Sequence, residues 1–156
     1  MKMIKSFKYA LCGLLYCIKN ERNFRIHIVA AVTVAIFAWF YGILPSQVPP
    51  LIIAILGVMI LEIVNTSIET TIDLITKKFS PLAKIAKDVA AGAVLLAALG
   101  AIGVAIFTFW DIQKLMRVFE IFKSPLLIIL AILYAITCLL FIFFIFKEGR
   151  FNKREG

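Results

Sequence analysis

The stretch LEIVNTSIETTID, residues 61–73, sets Glu62, Asn65, Glu69 and Asp73 into an otherwise apolar run. At about 100° per residue these four fall at roughly 0°, 300°, 340° and 20° around a helix, a single stripe about 80° wide. Charged groups inside an apolar span are expensive unless they are paired, hydrated or bound to a metal, and they rarely persist without a function. An interhelical hydrogen-bond network would need only one acid and one amide. Three carboxylates with no basic residue in the same stretch call for a cation from elsewhere. Hard oxygen ligands suit Mg²⁺, which takes one or two carboxylates and completes its shell with water and substrate phosphates. That ligand habit belongs to phosphoryl transfer, which also needs cationic groups near the phosphates and a base on the attacking hydroxyl. AKIAKD supplies Lys84, Lys87 and Asp88, and NERNFR supplies Glu21, Arg22 and Arg25.

The elements that must position these residues follow from composition. Of 156 residues, 63% are hydrophobic and 17% charged, and the mean hydropathy of +1.02 lies outside the soluble globular range. Apolar blocks run from Ile26 to Leu44, Pro50 to Ile75, Val89 to Trp110 and Pro125 to Phe146. Each is near the ~20 residues that cross a bilayer, so an all-α integral membrane protein of four spans is expected. GILPSQVPP (42–50) reads as a tight turn between antiparallel spans, because proline cannot continue a helix interior. KKFSPLAKIAKD (77–88) reads as a second, basic connection, and DIQKLMRVFEIFKS (111–124) as a third that is weakly amphipathic.

Lysine and arginine set the orientation. The N-terminal segment, the 77–88 connection and the tail after Phe146 together hold fourteen of the seventeen, leaving Lys114, Arg117 and Lys123 for the other side. Both termini and the 77–88 segment are therefore expected in the cytoplasm. Residues 1–25 place Phe7, Leu11, Leu14, Leu15 and Ile18 on one helical face with Lys5, Lys8 and Lys19 elsewhere, the pattern of an interfacial helix lying on anionic headgroups. Charges recur within that segment and no small-residue cleavage site follows it, unlike a signal peptide. The net charge of +8 thus points to membrane lipids as partners and not to nucleic acid, since the basic residues flank spans and form no aromatic-interleaved groove. Cys12, Cys17 and Cys138 have no metal-ligand spacing and read as small apolar fillers, and His27 stands alone at a span entrance. Phosphate-binding glycine loops, paired-histidine zinc motifs and nucleophile elbows are all missing from the sequence. A small proton-coupled multidrug transporter is the competing reading, but it needs one isolated acid near the bilayer midplane.

NERNFRIH, EIVNTSIETTIDL and PLAKIAKDVAAGAVLLAALGA together resemble the small prokaryotic integral-membrane lipid kinases, the diacylglycerol kinase and undecaprenol kinase family. The resemblance covers about residues 5–110, a three-span core at 26–110. It implies a homotrimer in the bacterial plasma membrane, with composite sites at the cytoplasmic face that use MgATP to phosphorylate a lipid alcohol. By position, Glu62 would be the general base, and Glu21 and Glu69 would hold the Mg²⁺ that bridges the ATP phosphates. Lys87 and Asp88 would contact the nucleotide, with Tyr9 on the surface helix a further nucleotide-side candidate. Asn65 would position the catalytic carboxylate or the acceptor hydroxyl, Asp73 would orient that end of the site, and Phe24 and Arg25 would belong to the substrate side. The wording of NERNFRIH and AAGAVLLAALGA resembles the undecaprenol kinases more than the diacylglycerol kinases. Two departures stand out. Ser80 occupies a position where the family commonly has a histidine, and residues 111–156 form an added block, read as an extracytoplasmic connection, an extra span and a basic tail. That block has no Arg, His and Asp constellation for phosphatase chemistry.

Overall fold

The computed structural model describes residues 2–143; the basic tail and the last three residues of the expected fourth span lie outside them. The described residues form six α-helices: α1 Lys2–Asn20, α2 Arg22–Tyr41, α3 Val48–Ile75, α4 Pro81–Thr108, α5 Ile112–Ile121 and α6 Pro125–Phe143, with a 3-10 turn at Pro45–Gln47. No strand occurs among the described residues. α2, α3 with its preceding turn, α4 and α6 are long and apolar enough to cross a membrane, so the chain is a multi-pass all-α membrane protein as expected.

Local chemistry sets the breaks. A single residue, Glu21, separates α1 from α2, its backbone extended at φ −104° and ψ 111°. Gly42 ends α2 at φ +68°, a left-handed conformation that costs other residues about 1–2 kcal/mol, and its N–H donates to the Ala38 carbonyl at 3.0 Å. Pro49 and Pro50 sit in the first turn of α3, where a missing N–H leaves no hydrogen bond unmade. Ser80 caps α4, its hydroxyl accepting from the Ala83 N–H at 3.5 Å with Pro81 beside it. The Asp111 carboxylate caps α5 through the N–H groups of Gln113 at 2.9 Å and Lys114 at 3.2 Å.

Two span starts move by a turn or more. α2 starts at Arg22 and not at Ile26, because one extended residue, Glu21, suffices to turn the chain and the polar RNFR after it continues as helix. α4 starts at Pro81 and not at Val89, because the Ser80 cap precedes a Pro-Leu-Ala start with no helix breaker behind it. Lys84, Lys87 and Asp88 therefore ride on the first turns of a helix and not in a connection, which shrinks to 76–80. Residues 112–121 form a regular helix whose apolar and polar residues segregate strongly, where only weak amphipathicity was expected.

α3 and α4 make the most extensive contact, an antiparallel hairpin, with α2 against α3 and α6 against α2. The buried set is small for a chain of this length: Phe24, Ala38, Tyr41, Leu51, Val58, Ala90 and Val94 lie among it. At the Gly42 end, Phe109 meets Phe37 and Tyr41 edge to face at centroid separations of 5.0 and 5.1 Å. α6 is fastened to α2 by the Thr33 and Tyr134 hydroxyls, 2.8 Å apart.

Candidate active site

Around α3 the buried positions Leu51, Val58, Glu62, Asn65 and Thr66 stand at roughly 340°, 320°, 0°, 300° and 40°, one continuous face. That face is apolar in its first half and turns polar at Glu62. The polar stripe is thus the lower half of the surface that α3 buries against its neighbours. Glu62 is only 3% exposed, and the Thr66 hydroxyl donates to its main-chain carbonyl at 3.0 Å. Asn65 Nδ2 donates to Glu69 Oε1 at 3.2 Å, while Asn65 Oδ1 is buried with no hydrogen-bond partner. Glu69 is half-buried and Asp73 exposed. From Val48, Glu62 lies about 21 Å along the helix, so in a hydrocarbon core about 30 Å thick it is within about 10 Å of the boundary at the Glu21 end. Glu69 lies about 10 Å further, at or past that boundary.

The α1–α2 elbow brings the second set. Glu21 is half-buried at the break and, with Glu69, lies close enough to act electrostatically on the Glu62 carboxylate. Asn23 is within hydrogen-bonding reach of Glu62. Phe24 and Arg25 are buried. The Arg25 guanidinium donates through Nη1 to the carbonyls of Ile18 and Lys19, both at 3.0 Å, and through Nε to the Ile142 carbonyl at 3.1 Å. It therefore satisfies carbonyls that the end of α1 leaves without a helical partner, and ties them to the last described turn of α6. Cys17, buried on α1, sits against Thr66 of α3; burial, and next the charge of Glu21, push its thiol above the ordinary range, so it stays protonated at neutral pH. That agrees with its reading as an apolar filler.

α4 contributes the cations. Lys87 Nζ donates to Asp73 Oδ1 at 2.6 Å, joining the ends of the hairpin, and Lys84 lies 3.7 Å from Asp88. Both pairs are solvent-accessible, a level further out than Glu62. The structure thus gathers Glu21, Glu62, Asn65 and Glu69 into one group and Asp73 with Lys87 into a second beside it. Asp88 pairs outward with Lys84, and Tyr9 is 70% exposed on α1, about 16 Å along that helix from its last residue.

Two residues given no site role by the sequence reading line the same space. Asn23 and His27, one helical turn apart on α2, face Glu62 and Asn65 across an open cavity of about 250 Å³ bordered by Ala91, Val94, Leu95 and Ala98 of α4. His27 and Ala98 also border a second cavity of about 230 Å³, walled by Ala30, Ala31, Ala54 and Ala101 among other apolar side chains. The i, i+4 spacing of Asn23 and His27 carried the signal, and it points the same way as the α3 stripe only once α2 is known to start at Arg22.

Among the described residues no three His, Cys, Asp or Glu side chains close around an ion. Mg²⁺ does not require that. Glu21 and Glu69, each close enough to Glu62 to act on its carboxylate, and the unpartnered amide oxygen of Asn65 are hard-oxygen donors of the kind it accepts when phosphate and water supply the rest.

The sequence matches the prokaryotic diacylglycerol kinase family over residues 8–109. It is 44% identical over 101 residues to a diacylglycerol kinase of Synechocystis, covering 64% of this chain and 58% of that one. It therefore spans less than two thirds of that relative's length. It is 43% identical over 93 residues to the undecaprenol kinase of Bacillus subtilis, covering 60% and 76% of the two chains, and 33% identical over 101 residues to the diacylglycerol kinase of Escherichia coli, covering 65% and 83%. The added helices α5 and α6 lie beyond the matched region, and the transporter reading finds no support. The chain belongs to the prokaryotic diacylglycerol kinase family of membrane lipid kinases.

Proposed function

We propose that this protein transfers the γ-phosphate of MgATP to a lipid alcohol at the cytoplasmic face of a bacterial plasma membrane, with undecaprenol as the acceptor. The observation that carries the reading is the cavity in which a nearly buried carboxylate, Glu62, faces two amides and a histidine within reach of two further carboxylates. Glu62 accepts the proton of the lipid hydroxyl as its oxygen attacks the γ-phosphorus. The bond from that phosphorus to the bridging oxygen breaks, and ADP departs with the electron pair. Asn65 and Asn23 orient the carboxylate and the incoming hydroxyl by hydrogen bonds. Glu21 and Glu69 hold Mg²⁺, which when bound neutralises charge on the phosphates. Lys87, held by Asp73, and Asp88 meet the nucleotide, Tyr9 lies on its side of the surface helix, and Phe24 and Arg25 back the elbow on the substrate side. Subunits arranged as a homotrimer would complete each site.

The level of Glu62 supports a lipid acceptor, since a hydroxyl anchored by an apolar tail reaches the hydrocarbon boundary where a soluble alcohol does not. The second cavity, apolar and lined by alanines, supports an unbranched route for a slender prenyl tail away from Glu62. Diacylglycerol is the second reading, favoured by the name of the Synechocystis relative. Purified protein in detergent, given ATP labelled at the γ-phosphate, is expected to label undecaprenol in a Mg²⁺-dependent manner and faster than diacylglycerol. Faster labelling of diacylglycerol would reverse the acceptor assignment, and labelling of neither would end the kinase reading.

A further inference from the structure

α5 presents three faces. Taking Ile112 as 0°, the exposed apolar residues Ile112, Met116 and Phe119 fall at about 0°, 40° and 340°. Glu120, Gln113 and Arg117, all exposed, fall at about 80°, 100° and 140°, and Phe122, Leu115 and Val118, turned to the bundle, at about 280°, 300° and 240°. A helix on a soluble surface needs only two faces, one for protein and one for water. A third face, apolar and open, fits a helix lying between protein, water and acyl chains.

The rest of this end of the molecule marks the same level. Both tryptophans of the chain are here: Trp39 in the last turn of α2 is 85% exposed and Trp110, just past α4, is 74% exposed. Tryptophan side chains concentrate where hydrocarbon meets headgroups. α5 is also fixed at that level and not merely tethered. The Asp111 N–H donates to the Tyr41 hydroxyl at 2.9 Å, Lys114 Nζ donates to the Gly42 carbonyl at 3.3 Å and stands 5.5 Å over the Tyr41 ring, and the Phe122 ring packs on Phe40 at 5.4 Å. With its inner face so occupied, the Ile112, Met116 and Phe119 stripe must find another covering. Three side chains offer a few hundred Å², well short of the roughly 800 Å² per partner that a stable protein interface buries.

We propose that α5 is a surface helix of the leaflet opposite the one that carries α1, with Ile112, Met116 and Phe119 among the acyl chains and Gln113, Arg117 and Glu120 in the aqueous layer. The chain then grips the bilayer from both sides, and the distance from α5 to Glu62 fixes the depth of the site.

The single substitutions I112C, Q113C, M116C, R117C, F119C and E120C, each in a full chain whose native cysteines are replaced by alanine, can be spin-labelled and reconstituted in phosphatidylcholine and phosphatidylglycerol vesicles. Labels at 112, 116 and 119 are expected to meet dissolved oxygen several-fold more than a water-soluble nickel chelate, and labels at 113, 117 and 120 the reverse. Positions 112, 116 and 119 closed to both reagents would show a protein partner or a second copy there, and equal chelate access at all six would show a helix standing in water; either overturns the proposal. In the unmodified chain, Trp39 and Trp110 are expected to be quenched more by lipids brominated near the headgroup end of the acyl chain than at its far end. The opposite order would place this end of the bundle at the wrong depth and overturn it equally.

Discussion

Arg25 is the residue on which the α1–α2 elbow and the added α6 both depend, so replacing it by lysine should damage stability and nucleotide handling together. Arg25 is 8% exposed, and among the described residues its guanidinium donates to two carbonyls at the end of α1 and one on α6. A lysine ammonium keeps the charge and three protons, enough to replace Nη1 at the Ile18 and Lys19 carbonyls, but its one nitrogen cannot also reach the Ile142 carbonyl that Nε holds. Hydrogen bonds from charged donors contribute about 1.5–3 kcal/mol each, which makes the loss at least about 1.5 kcal/mol. For a chain of this size that is a melting temperature lower by at least about 3–6 °C, at about 2–4 °C per kcal/mol. Tyr134→Phe at the same α2–α6 contact removes one neutral hydrogen bond, about 1 kcal/mol, and serves as the scale. Thermal unfolding of the three proteins in one detergent, followed by helical circular dichroism, reads the difference. Glu21 stands at the elbow that Arg25 holds, so the KM for MgATP is expected to rise in Arg25→Lys and to stay near the parent value in Tyr134→Phe. An Arg25→Lys protein melting within about 2 °C of the parent would refute the tie between the three helix ends.

Glu69→Gln removes one of two metal carboxylates and is expected to raise the Mg²⁺ concentration for half-maximal turnover at least tenfold, read by Mg²⁺ titration at fixed ATP. Asp73→Asn frees Lys87 from a partner that holds it at 2.6 Å; because both groups are partly exposed, the stability change should be below about 1 kcal/mol, while KM for ATP rises and kcat changes little. Cys17, buried and with its thiol pushed up, is expected to resist a membrane-permeant maleimide at pH 7.5 and to react only as the pH rises beyond the usual thiol range or the protein is unfolded; intact-mass counting of adducts checks this.

Much of this architecture was legible because the bilayer allows few solutions. Four apolar blocks of spanning length gave four spans, and the helical angle of Glu62, Asn65, Glu69 and Asp73 gave one face of α3. The errors fell where polarity and helicity part company. By charge RNFR goes with the surface helix and PLAKIAKD with a connection, yet a backbone that can satisfy its N–H and C=O groups internally continues as helix until a cap or a special φ stops it. The result moved Lys87 onto α4, in reach of Asp73 across the hairpin. Asn23 and His27 went unassigned because their role depends on α2 crossing α3 beside Glu62, a contact between residues some forty positions apart that no local pattern encodes. The carbonyl ties of Arg25 could not be read at all, since a main-chain acceptor leaves no mark on residue type.

The most direct measurement compares Glu62→Gln with the parent for both transfer of labelled phosphate to undecaprenol and binding of MgATP. Glutamine keeps the size and hydrogen-bonding edge of the side chain and removes only its capacity to take a proton. A general base contributes about 10²–10⁴-fold, so turnover should fall at least a hundredfold while MgATP affinity stays within about threefold of the parent. Residual turnover above a tenth of the parent value would contradict the role of Glu62 as the base.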